Sequence, residues 1–315
     1  MTAERLPRIR MPNKMYSHAI SNTSIFMNLK RIVSVFIFSC LALTTSAQKV
    51  QEPKNTSPDW SKPYKPFRIV GNLYYVGTYD LASYLIVTPE GNILINTGLA
   101  SSASQIQQNI ESLGFKFKDL KVLLTTQAHF DHMGAMAQIK KLTGATFMVD
   151  EKDSAVVADG GKSDYALGGK RSTYEPLSPN ILLGDQETIV LGNTKLIMLH
   201  HPGHTKGSCS FLFDVNDGGH IYRVLIANMP TIVTDKKFND IPAYPEIAKD
   251  YAYTFQSMKA LQFDIWLASH ASQCNLHAKH KPEDGYNPHA FEGRKDYDLE
   301  LAELEAQFLK KKEKQ

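Results

Sequence analysis

The chain is 315 residues long with a formal charge of +3, but the six Lys/Arg and single Glu of residues 1–47 leave residues 48–315 at −2. A mildly acidic remainder gives no electrostatic case for nucleic acid, and that class of partner is set aside. Its 268 residues suit one large α/β domain or two tightly packed halves, and with only Cys209 and Cys274 in them a disulfide is open but unforced.

In chain order, Lys30-Arg31 precede an apolar run from Ile32 to Leu43, followed by the small residues Thr45, Ser46 and Ala47. That is the charged, apolar and cleavage-site pattern of a secretory signal, too short for a spanning helix. We expect residues 1–47 to be an extension and signal peptide cut near Ala47-Gln48, with Met27 as an alternative start. Residues 48–315 would then form the periplasmic domain, without stable membrane association after processing.

From Tyr64 onward, Ile69-Val70, Leu73 to Val76, Ser83 to Val87 and Asn92 to Ile95 read as strands, punctuated by Gly71-Asn72, Tyr79-Asp80 and Glu90-Gly91. Ile106, Ile110 and Leu113 recur at helical spacing before Gly114. A strand over Val122 to Thr125, a helix over Ala135 to Leu142, a strand over Thr146 to Val149 and a short helix from Glu151 follow. Residues 158–180, rich in Gly and Pro, read as an extended loop. The second half repeats the theme: strands at Ile189 to Leu191, Lys195 to Leu199, Ser208 to Phe213, Tyr222 to Ala227 and Ile265 to Ala268, with helices over Pro245 to Leu261 and Asp296 to Lys312. Two such halves predict two sheets packed face to face with helices outside.

The chemistry concentrates in Thr126-Gln127-Ala128-His129-Phe130-Asp131-His132, which follows a strand. Two imidazoles and a carboxylate are donor types that zinc accepts. In His200-His201-Pro202-Gly203-His204-Thr205 the Pro-Gly turn lets His204 project from a loop rim. His270 again follows a strand, and Asn96 ends one, where a polar group could brace a ligand. His220, His277, His280 and His289 read as surface residues.

These segments, together with Gly77 to Leu85 and Leu225 to Pro230, resemble the metallo-β-lactamase superfamily. The likeness is nearest to subclass B3 β-lactamases of the GOB type, which carry Gln in place of the first zinc-ligand His. The resemblance implies a four-layer αβ/βα sandwich in a single domain, with metals at one edge between the sheets. It implies Gln127, His129 and His204 on one zinc and Asp131, His132 and His270 on the other. A Gln carbonyl is a weaker, neutral donor, so of one or two zincs per chain the Asp131 site is expected to be the tighter. The implied activity is hydrolysis of the β-lactam amide of penicillins, cephalosporins and carbapenems by zinc-bound hydroxide, conferring antibiotic resistance. Asp131 would serve as both ligand and catalytic orienter of the nucleophile, and the enzyme would be a monomer.

Departures from the wider pattern narrow the choice. Asn228-Met229-Pro230 carries no carboxylate where many relatives of the superfamily place a metal-bridging Asp, which weakens a glyoxalase II-like or phosphodiesterase reading. Met229 stands where many B3 enzymes have a water-holding Ser, and Thr231 resembles a hydroxyl that contacts the substrate carboxylate. Asn96 stands where Asp is common, so support of a ligand His would be neutral. The alternatives are the same fold acting on a lactone, thioester or phosphodiester, and a non-catalytic zinc-binding module.

Overall fold

The computed structural model describes residues 50–169 and 173–314. The export signal and the alternative start lie outside the described residues. Seven strands form the first sheet in sequence order: β1 (Phe67–Val70), β2 (Leu73–Tyr75), β3 (Tyr84–Thr88), β4 (Gly91–Ile95), β5 (Leu120–Leu124), β6 (Thr146–Asp150) and β7 (Ile181–Leu183). The pairs from β1 to β4 are antiparallel and those from β4 to β7 parallel. The second sheet has the order β12-β11-β10-β9-β8, built from β8 (Thr188–Leu191), β9 (Thr194–His200), β10 (Cys209–Asp217), β11 (His220–Ala227) and β12 (Ile265–Ala268). Only β11 and β12 pair in parallel there. The helices are α1 (Ala103–Ser112), α2 (Phe130–Met133), α3 (Met136–Thr143), α4 (Ser154–Ala158), α5 (Ile247–Ala260), α6 (Leu276–Lys279) and α7 (Lys295–Lys312).

The period of two in the strands explains the layering. Leu73, Tyr75, Tyr84, Ile86, Ile93 and Ile95 of the first sheet share one core with Leu196, Met198, Phe211, Phe213 and Val224 of the second. The intervening Tyr74, Leu85 and Leu94 point the other way, toward Ile106 and Ile110 of α1 and Ile139 of α3. On the far side of the second sheet Trp266, wholly buried on β12, meets Tyr297 of α7 edge-on at 5.3 Å. The result is the expected αβ/βα sandwich. Among the described residues no helix is long and apolar enough to cross a membrane.

Several local expectations are corrected. An edge strand that sequence reading did not anticipate, β7, begins directly after the stretch read as loop and pairs with β6 through Ile181, Leu182 and Leu183. The β10–β11 hairpin runs further than its apolar core, to Asp217 and His220, because Gly218 and Gly219 both supply positive φ in the turn. His280 is buried, not a surface residue, and its ring stacks on Phe67 at 3.6 Å. His277 is half-buried, stacked on Tyr79 at 3.9 Å. Cys209 and Cys274 are buried free thiols.

Candidate metal centre

Strands β4, β5, β9, β11 and β12 all hand over to loops at one edge of the sandwich. Three ties draw the sheets together there: an isolated bridge between Leu81 and His270, the Thr126 and Ser269 hydroxyls 2.8 Å apart, and the Cys209 N–H donating to the Thr126 carbonyl at 2.8 Å. Directly after β5 the chain cannot continue as a strand, because the Thr126 N–H donates at 2.9 Å to the Asn96 side chain. Asn96, with φ of +61°, thus braces the loop backbone and not a ligand His, which corrects its expected role. His129 then stands in extended conformation at the N-cap of α2, a single turn that presents Asp131 and His132. Gly134 follows because a Cβ there would sit 2.4 Å from the Ala100 nitrogen. Gly203 plays the same part before His204: its φ is +129° and a Cβ would lie 2.8 Å from the Tyr251 ring.

These loops bring the six expected donors to one place. Asp131 Oδ2 lies 3.2 Å from His132 Nε2 and 3.3 Å from His270 Nε2. The candidate ligand atoms of this trio are all within 4.8 Å of one another. His129 Nδ1 and His204 Nε2 face each other at 3.1 Å. Gln127 Oε1 and both nitrogens of His132 are buried with no aligned hydrogen-bond partner. Buried polar atoms without partners are costly, and a cation on each side of the cluster would satisfy Gln127 Oε1 and His132 Nε2. The donor set of imidazole, carboxylate and amide oxygen fits zinc.

The outward nitrogens are held as metal-binding imidazoles usually are. His270 Nδ1 is 3.0 Å from Asp80 Oδ2, and His204 Nδ1 is 2.9 Å from the Thr231 carbonyl. His129 Nε2 lies 3.4 Å from Asp164 Oδ2, close in charge although not an aligned hydrogen bond. Asp80 also accepts from Trp60 Nε1 at 3.1 Å and from the Ser272 N–H at 2.9 Å.

The electrostatics follow from burial and these pairs. Burial opposes charge on Asp131, but His132 and His270 outweigh it and hold the carboxyl well below its usual range. Burial likewise opposes protonation of His270, yet Asp131 and Asp80 push it up to about 9. His204 falls to about 3 through burial and the adjacent His129. A ring kept neutral is a ring free to coordinate.

A cavity of about 540 Å³ opens over the cluster, and Gln127, His129, Asp131, His204 and His270 line it with Trp60, Leu167, Met229 and Thr231. His132 lies behind them, fully buried. Met229 is buried at the wall, while the Thr231 hydroxyl is turned to 3.0 Å from His204 Nδ1. Asp80, Asp164 and Trp60 escape sequence reasoning. Asp80 reads as an ordinary turn residue and Asp164 sits in a stretch with no periodicity.

The family model of the metallo-β-lactamase superfamily matches residues 78–218. Among solved structures, a class B3 di-zinc metallo-β-lactamase, LRA-12, from an Alaskan soil metagenome is 65% identical, with 83% of this chain and 99% of that one covered and a TM-score of 0.82. The metallo-β-lactamase GOB-18 from Elizabethkingia meningoseptica is 57% identical, with 86% and 100% covered and a TM-score of 0.85. A β-lactamase from Chitinophaga pinensis is 54% identical, with 83% and 99% covered and a TM-score of 0.81. Curated relatives are more distant: the chain spans 64% of the length of a probable metallo-hydrolase of Methanocaldococcus jannaschii, at 25% identity over 138 residues, 43% of this chain. Near-complete coverage at such identity, on the same sandwich, leads to one conclusion: the chain belongs to the metallo-β-lactamase superfamily, with the class B3 enzymes.

Proposed function

We propose that this chain is an exported, monomeric zinc β-lactamase that opens the amide ring of penicillins, cephalosporins and carbapenems. The observation that carries the reading is the Asp131-His132-His270 trio, its inner atoms within 4.8 Å of one another beneath a cavity of about 540 Å³. Kinship with class B3 enzymes supports the substrate class. The signal-like run from Lys30 to Ala47 supports export to the periplasm.

Gln127, His129 and His204 would hold one zinc, and Asp131, His132 and His270 the other. Zinc there would supply Lewis acidity and lower the pKa of a bound water toward about 7. The chain's own residues do the positioning. Asp131 Oδ2 is the atom gathered with His132 Nε2 and His270 Nε2 and would be the one given to the metal, which leaves Oδ1 as acceptor for a proton of the attacking water. A carboxylate beside a dication stays ionised, so it would orient that water at neutral pH. Asp80 fixes the ring of His270, and the Thr231 carbonyl fixes that of His204. Trp60, Leu167 and Met229 provide apolar wall for the bicyclic substrate and displace water from the reacting amide. No carboxylate follows β11 at Asn228-Met229, which disfavours the bridging-Asp chemistry of lactone, thioester and phosphodiester relatives.

The test is a substrate panel on purified residues 48–315 with zinc: a penicillin, a cephalosporin and a carbapenem against an acyl homoserine lactone and a glutathione thioester. We expect kcat/KM for the β-lactams to exceed that for the others by at least about 100-fold, the scale of discrimination that pocket fit alone supplies. A lactone or thioester turned over faster than every β-lactam refutes the assignment.

A further inference from the structure

The loop between α4 and β7 does something the cavity alone does not explain. Besides Leu167 at the cavity wall, its described residues Asp164, Tyr165 and Tyr174 reach the metal centre, all three on the same half of it. Asp164 Oδ2 approaches His129 Nε2 at 3.4 Å. The Tyr165 hydroxyl donates to the carbonyls of Gly203 and His204, at 3.1 Å each. The Tyr174 hydroxyl donates at 2.7 Å to the carbonyl of Ala128, the residue between Gln127 and His129. The other half is braced from elsewhere: His270 by Asp80, and the His132 carbonyl by the Thr97 N–H at 2.9 Å and the Thr97 hydroxyl at 3.0 Å.

Asp164 is built in rather than drifting near. Its side chain and that of His129 are both 3% exposed. Oδ1 accepts from the N–H groups of Ala166 at 2.9 Å and Leu167 at 2.6 Å, which leaves Oδ2 as the oxygen beside the imidazole. The Asp164 carbonyl takes the Gly168 N–H at 3.1 Å, and a Cβ on Gly168 would sit 2.2 Å from that oxygen. Only glycine permits so tight a return of the chain.

We propose that Asp164, Tyr165 and Tyr174 form a clamp dedicated to the metal position of Gln127, His129 and His204, and that Asp164 sets how tightly that position holds zinc. The physical reason is compensation. An amide oxygen gives the cation less than an imidazole would, so the position is short of donor strength at Gln127. An anion beside the far nitrogen of His129 favours the proton on that nitrogen and raises the basicity of the one that faces the metal. In a buried setting that influence is only weakly screened. Asp164 is a positioning residue in this account, since it touches a ligand and not the substrate. The proposal rests on the metal reading above but not on the identity of the substrate.

The experiment is zinc titration of the full domain against a chromophoric chelator, resolving two stepwise constants, repeated with cobalt to follow the visible spectrum of each step. It uses no β-lactam, so it stands or falls separately from the substrate assignment. Asp164→Asn keeps the shape and removes the charge. It is expected to weaken one step by about 10- to 100-fold, the usual cost of losing an outer partner, and to leave the other unchanged. Tyr165→Phe should weaken the same step, and decides the matter if Asp164→Asn does not fold. Asp80→Asn should weaken the opposite step. Equal weakening of both steps by Asp164→Asn or Tyr165→Phe, or no change in either, overturns the proposal. So does a parent chain that takes up a single zinc at saturating metal.

Discussion

Gln127 and Asp131 stand four residues apart and offer a cation different things. The carboxylate of Asp131 is charged, buried and held by two imidazoles, whereas Gln127 brings a neutral carbonyl oxygen with no aligned partner. Replacing Asp131 or His270 by Ala should therefore lower kcat/KM by well over about 100-fold, beyond the range for outer partners, while Gln127→Ala costs markedly less. Equal losses at matched zinc content would contradict a dominant Asp131 position. Asp153 makes a separate prediction. Burial pushes its carboxyl up to about 7 despite bonds from the Thr205 hydroxyl at 2.6 Å and the Gly207 N–H at 2.8 Å. Between about pH 4 and pH 7 the folded chain holds a proton there that the unfolded chain has released, so this group's contribution to stability falls as pH rises through that window. Urea midpoints at pH 5 and pH 8 should differ less in Asp153→Asn than in the parent; an unchanged difference argues that Asp153 does not titrate there.

At the scale of elements, the metal loop works because one helical turn is pressed against the loop after β4. Gly134 makes that contact, its would-be Cβ lying 2.4 Å from the Ala100 nitrogen and 2.7 Å from the Gly98 carbonyl. Gly134→Ala should destabilise the fold by about 1–3 kcal/mol and also weaken zinc binding, since α2 must shift. A melting temperature and zinc content equal to the parent's would refute that close packing. The strands that carry the site were legible from the sequence, because alternation in β2 to β4 and apolar runs ended by Gly or Pro report a two-faced buried sheet. The cluster of His and Asp on strand ends was legible for the same reason: polar residues gathered there have no packing role. What was not legible depends on contacts distant in sequence. Asp80 meets His270 across 190 residues, and nothing local to either announces it. Asp164 lies in a stretch whose order comes from its own backbone turns and from His129, so periodicity is silent. Asn96 was located correctly as a polar strand end but misassigned, because its αL backbone turns the side chain onto Thr126.

For the whole molecule, the two sheets share one core, and the cavity over the donors opens at the edge where β4, β5, β9, β11 and β12 end. The site is therefore assembled from both halves of the chain: Gln127 to His132 from the first, His204 and His270 from the second. Neither half holds a complete trio, so the metals and the fold report on each other. The most direct test of the central claim is hydrolysis of a penicillin by residues 48–315 before chelation, after it, and after zinc is restored. The account predicts loss of activity on chelation and its return with zinc. Hydrolysis that persists in fully demetallated protein, or none at all in the zinc-loaded protein, would contradict it.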